Sequence, residues 1–69
     1  MNMTLKELGS TKAYNEISTI TIDGTPISNL PFERLIDLPI RYYKRAGISE
    51  EVIKEIQVIA NNLNLVFEE

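Results

Sequence analysis

The stretch EISTITIDGTPI, residues 16–27, decides the fold class of this chain. Ile20 and Ile22 share one face with Ser18, while Ile17, Thr19 and Thr21 share the other, which is the period of two of a β-strand. Asp23-Gly24 follows, a pair suited to a two-residue type I′ turn because both central positions of that turn require positive φ. Pro26 has no N–H to give to a ladder, so the return strand over residues 25–28 is expected to be short and at an edge. The single glycine is far too little to read the turn as a phosphate cradle.

Helical signals surround the hairpin. TLKE at residues 4–7 fits a capping box, with Thr4 as N-cap and Glu7 at N3. Gly9 and Ser10 stop that segment after about two turns, so it forms a short helix laid over the core through Leu5 and Leu8, or else residues 1–12 are a mobile docking arm. Further on, Phe32, Leu35, Ile36, Ile40 and Tyr43 recur at helical spacing. Pro39 falls inside this stripe and is incompatible with one long helix. Two short helices over roughly 31–37 and 38–46 fit better, with Pro31 and Pro39 near their first turns. Gly47 supplies the left-handed residue that ends the second.

The last helix has the clearest beginning. Ser49 is a good N-cap, and Glu50 and Glu51 suit the positive end of a helix dipole. Val52, Ile53, Ile56, Ile59, Ala60 and Leu63 fall on one stripe about 120° wide. Asn61, Asn62 and Asn64 mark the exit, and LVFEE, residues 65–69, reads as a closing strand with Leu65 and Phe67 on one face. The expected fold is therefore α+β. It is one small domain over residues 1–69, in which the hairpin and the C-terminal strand share a sheet packed on two or three short helices.

The composition narrows the function. A chain of 69 residues builds a thin core, and chains of this size often add a disulfide, a metal or a second subunit. There is no cysteine and no histidine, which removes disulfides, thiolate sites, Cys nucleophiles and the usual general base. Self-association remains, so a homodimer is expected. Apolar runs are too short to span a membrane and no secretory signal is read at the N-terminus, so the expectation is a cytoplasmic protein of a bacterium or of a virus infecting one.

Net charge is −3, from seven basic and ten acidic side chains, and the signs are segregated. Arg41, Lys44 and Arg45 form a basic cluster. From Ser49 onward Glu50, Glu51, Glu55, Glu68 and Glu69 face a single Lys54. An acidic C-terminal third points towards a basic or neutral partner.

YYKRAGISEEV, residues 42–52, raises the question of a DNA-reading helix–turn–helix. In that motif the second helix enters the major groove. Here it would bring Glu50, Glu51 and Glu55 against phosphates spaced about one charge per 1.7 Å, with only Lys54 in compensation. The basic cluster lies on the preceding helix, which positions rather than reads. Arg41, Lys44 and Arg45 are also what complements the dipole of a last helical turn. Tyr42 and Tyr43 could stack on bases, or form one core ring and one surface ring.

No constellation of nucleophile, base or metal is present, no calcium-loop spacing, and no P-loop, GxGxxG or GxSxG. The chain is read as a non-enzyme with no cofactor and no metal. Val58 breaks the pattern of the last helix, because it lies in the polar face beside Glu51, Glu55 and Asn62. An apolar centre with an acidic rim is the anatomy of a small protein-binding patch, and a lone exposed valine is equally ordinary. Glu51 and Glu55 stand one turn apart, about 6 Å, a spacing comparable to neighbouring phosphates, so the face could act as a DNA mimic if a dimer doubled it.

In size, acidity and lack of catalytic residues the chain resembles the small inhibitors that phages make against host proteins. That resemblance implies a non-enzymatic regulator or inhibitor targeting a basic host protein, such as a nucleic-acid-binding one. Its partner-binding residues would be Glu51, Glu55, Val58 and Asn62. The alternative is a helix-turn-helix-like transcription regulator contacting DNA through Arg41, Lys44 and Arg45.

Overall fold

Asp23 and Gly24 both take positive φ, 53° and 81°, as the two central residues of a type I′ turn must. They join β1 (Thr21–Ile22) to β2 (Thr25–Pro26) in a computed structural model that describes residues 3–69. The register pairs Ile22 with Thr25 and Thr21 with Pro26. One step further from the turn, the Ile27 N–H donates to the Ile20 carbonyl at 2.9 Å. Antiparallel ladders alternate bonded and non-bonded pairs, so Thr21–Pro26 falls on a non-bonded pair. The missing N–H of the proline costs the ladder nothing there.

The strand begins later than the alternation suggests. Residues Thr11–Ile17 form a helix, α1, burying Ala13 and Ile17. Ile17 therefore belongs to a helical face with Ala13, four residues earlier, and not to the strand. A run of β-branched residues is only a weak preference, which burial on a helical stripe overrides.

After β2 the chain makes a 3₁₀ turn (Ile27–Asn29), then α2 (Phe32–Leu35), α3 (Ile40–Arg45) and α4 (Glu50–Asn62). Among the described residues, four α-helices and a two-stranded antiparallel sheet make this a small α+β fold. Pro31 and Pro39 are the N-cap residues of α2 and α3, and neither cap has a side-chain hydrogen bond. Backbone carbonyls from the two ends of the chain take that place. The Phe32 N–H donates to the Met3 carbonyl and the Ile40 N–H to the Glu68 carbonyl, each at 2.7 Å.

The second of these contacts explains a correction. Residues 65–69 form no strand, and the sheet has two strands. Leu65 and Phe67 do share a half-buried face, and Val66 between them is 73% exposed. That face lies on helices: the Phe67 ring meets Tyr43 edge-on, centroids 5.7 Å apart. The alternation was real, but its apolar side found a helical surface instead of a sheet edge.

Of residues 1–12, the first two lie outside the described residues. The Thr4 N–H donates to Glu7 Oε1 at 2.9 Å, and the Glu7 N–H makes a long return bond to Thr4 Oγ1 at 3.4 Å. This capping box opens a turn rather than a helix, and Leu5 inside it is fully buried. The turn closes with Gly9 N–H donating to Lys6 and Ser10 N–H to Leu5, the paired bonds of a Schellman ending.

The same ending recurs at α3 and α4. Gly47 has φ +89°, its N–H donates to the Lys44 carbonyl and the Ile48 N–H to Tyr43. A side chain at that φ would be strained. Asn64, with φ +58°, does the same for α4 through Asn64→Asn61 and Leu65→Ala60 bonds. The core between these elements is built on Phe32, Leu35, Tyr43, Val52 and Ile56, joined by Leu5, Ile17 and Ile27. Tyr43 is fully buried, and its hydroxyl donates to the Leu35 carbonyl at 2.7 Å.

Candidate functional site

α4 is 13 residues long and buries Val52, Ile53, Ile56 and Ala60. Ile59 and Leu63 are half-buried at the margins of the same stripe. Ser49 caps it, its side chain accepting from the Val52 N–H at 3.3 Å. The opposite face carries the residues singled out in the sequence, and the structure treats them unequally.

Glu51 and Glu55 lie towards α1, which runs antiparallel to α4. Three polar links tie the two helices together. Ser10 Oγ donates to Glu55 Oε1 at 2.6 Å, Lys12 pairs with Glu51, and Glu16 holds Ser49. Glu16 Oε2 accepts from the Ser49 N–H at 2.6 Å, while its Oε1 accepts from Ser49 Oγ at 3.2 Å. Glu55 is partly buried as a result, whereas Glu51 stays exposed despite its ion pair. The hydrogen bond to Glu51 holds the Lys12 ammonium above its ordinary pKa, against an opposing effect of desolvation. The nearby carboxylates of Glu55 and Glu16 add to the rise. Carboxylates therefore outnumber cations at this end of α4.

Val58 is 57% exposed and separates two hollows. One, of about 420 Å³, lies between α4 and the N-terminal turn, with Leu8 and Ile59 in its walls and Glu51, Lys54 and Glu55 around it. The other, of about 360 Å³, is bounded by Lys54, Gln57, Asn61 and Phe67. Lys54 and Val58 thus form a ridge with a hollow on each side. Asn62 is exposed in the last turn and lines neither hollow. Among the described residues, Lys54 has no ion pair or hydrogen bond from its side chain.

Arg41, Lys44 and Arg45 are exposed on α3. Lys44 shares a crevice of about 110 Å³ with Glu50, Lys54 and Glu69, so acidic side chains stand beside the basic cluster. Tyr43 is core and Tyr42 half-buried, their rings packed edge-on at 5.7 Å. Tyr43 is therefore closed to base stacking. Burial, with a smaller contribution from Tyr42, pushes its phenol well above the ordinary value.

Ser10, Lys12 and Glu16, which decide how Glu51 and Glu55 are held, were not singled out by the sequence pattern. They lie 33 to 45 positions from their partners, beyond the reach of any local spacing. The described residues hold no group of three or more His, Cys, Asp or Glu that could bind a metal. No helix among them is long and apolar enough to cross a membrane. No protein-family model, no curated protein and no solved structure matches the chain.

Proposed function

We propose that the chain is a non-enzymatic protein-binding regulator or inhibitor, which presents the outer face of α4 to a basic or neutral partner protein. The observation that carries this reading is the position of Val58. It is a large aliphatic side chain, 57% exposed, on a ridge between two hollows with Glu51 and Glu55 at one side. A partner side chain entering the larger hollow would meet Leu8 and Ile59 below and carboxylates at the rim. That pattern fits an aliphatic residue flanked by Lys or Arg. The homodimer expected from the chain's size would present this face twice.

Capture from a bacterial lysate, with and without nuclease treatment, tests the reading. The wild type is compared with Val58→Asp, and with Val66→Asp as a control at a still more exposed valine outside the face. Support is a protein retained by the wild type and the control but lost with Val58→Asp. Capture that disappears with nuclease, or on replacing Arg41 and Arg45 by Ala, favours the DNA-contacting alternative instead.

A further inference from the structure

A second surface lies away from α4. Ile22, at the end of β1, is 44% exposed. It stands at the edge of a hollow of about 390 Å³ whose other walls are Leu30, Pro31 and Leu38. Arg34 and Asp37 sit on the rim of the same hollow. The Asp37 N–H donates to the Arg34 carbonyl at 3.2 Å, so the two side chains issue from one turn of backbone, neighbours three positions apart. Among the described residues neither has a hydrogen bond or ion pair from its side chain. One surface therefore holds an apolar projection, an apolar hollow, one free cation and one free anion.

We infer that this surface pairs with the same surface of a second copy of the chain. An isologous contact requires a patch complementary to itself, and this one is. Across a twofold axis between Arg34 and Asp37, each guanidinium meets the carboxylate of the partner copy. Ile22 of each chain then enters the other's hollow. A strongly acidic or basic partner would leave one of the two charges opposed by its own sign. Strand addition is a poor fit, because a strand of two residues offers too short a row of free backbone groups.

The monomer is complete without this contact. Its accessible surface is 4377 Å², and a folded monomer of 7.9 kDa is expected to expose about 4,400 Å². Pairing therefore joins folded chains and depends on concentration. A standard interface covers about 800 Å² per partner, roughly a fifth of this surface. A face built around six residues falls short of that, which places the dimer among weak, reversible ones.

Sedimentation velocity over a dilution series up to about 1 mM, high enough to populate a dimer of millimolar Kd, tests the inference. Circular dichroism confirms the fold of each variant. Wild type should shift from monomer to dimer across the series. Ile22→Asp, Arg34→Asp and Asp37→Arg should each weaken dimerisation roughly tenfold or more. The double variant Arg34→Asp with Asp37→Arg restores both cross-pairs and should return to wild-type behaviour. A wild type that stays monomeric throughout overturns the proposal. So does a dimer indifferent to Ile22→Asp, or a folded double variant that fails to recover.

Discussion

The Glu16 carboxylate accepts a 2.6 Å hydrogen bond from the backbone N–H of Ser49, the residue that caps α4. Ser49 thus works in two directions. Its hydroxyl oxygen accepts from the Val52 N–H within the helix, and its own N–H is taken by a residue of α1. A carboxylate here also lies close to the positive end of the helix dipole.

Replacing Glu16 by Ala should cost about 1–2 kcal/mol, because it removes a charge-assisted bond and frees a backbone donor at a helix start. Urea denaturation measures the loss. Glu16→Gln should recover part of it, since the amide oxygen can still accept from Ser49. Equal loss in both variants would show that the charge matters and the hydrogen bond does not.

Ser28 gives a prediction of opposite sign. Its side chain is 1% exposed, and its hydroxyl has no hydrogen-bond partner among the described residues. A buried polar group without a partner carries a desolvation cost of about 1–3 kcal/mol. Ser28→Ala removes that cost and very little volume, so the midpoint of thermal unfolding should hold or rise. A clear fall would mean that the hydroxyl is bonded in solution.

Tyr43 should make stability sensitive to alkali. Burial raises its pKa above that of a tyrosine in the unfolded chain, about 10. Above that pH the unfolded state has lost a proton that the folded state retains, so stability falls as pH rises. Below it the two states bind equally and the effect vanishes. Tyr43→Phe should therefore flatten the decline seen above about pH 10. At neutral pH it should cost about 1 kcal/mol for the lost bond to Leu35, whose carbonyl also accepts from the Leu38 N–H. An alkaline slope unchanged in the variant would count against this origin.

The C-terminal segment is held by little, so its anchors can be weighed singly. Phe67 packs on Tyr43 and Glu68 lends its carbonyl to the start of α3. Phe67→Ala should cost about 2–4 kcal/mol, at or below the usual range for a core phenylalanine because the ring is only half-buried. Hydrogen exchange at the Ile40 amide reports the same event locally, and should quicken in the variant. Val66→Ala, at a 73% exposed position, should leave both readouts unchanged.

Much of this architecture was legible because local rules acted alone. The Asp23-Gly24 turn, the break at Pro39, the ending at Gly47 and the start at Ser49 each follow from residues within a few positions. The stripe of α4 was equally plain, since six aliphatic residues at helical spacing leave one face to bury. α1 was not read, because TKAYNEI buries fully only Ala13 and Ile17, with Tyr14 half-buried beside them, and merges into β-branched residues. The fate of LVFEE was hidden for another reason: alternation tells which side is buried, not what buries it. On the α4 face, Val58 stood out in the sequence as it does in the structure. The sequence offered no sign that Glu51 and Glu55 are shared with Lys12 and Ser10.

That sharing decides how the binding face must be tested. Glu51→Lys alone would set an ammonium against Lys12, and Glu55→Lys would break the bond from Ser10. Either could lose binding by disturbing the fold. The exchange Lys12→Glu with Glu51→Lys keeps the ion pair and alters only the order of its charges. Both positions are more than half exposed, so stability should move by no more than about 0.5 kcal/mol. If a basic partner docks on α4, the exchange should weaken binding through a slower association rate. The wild-type rate should in turn fall as salt rises. Val58→Asp should lower affinity at least tenfold, about 1.4 kcal/mol, at a central contact. A DNA-binding chain would behave otherwise: tight duplex binding at physiological salt, lost with Arg41→Ala and Arg45→Ala and indifferent to Val58, would displace the protein-binding reading.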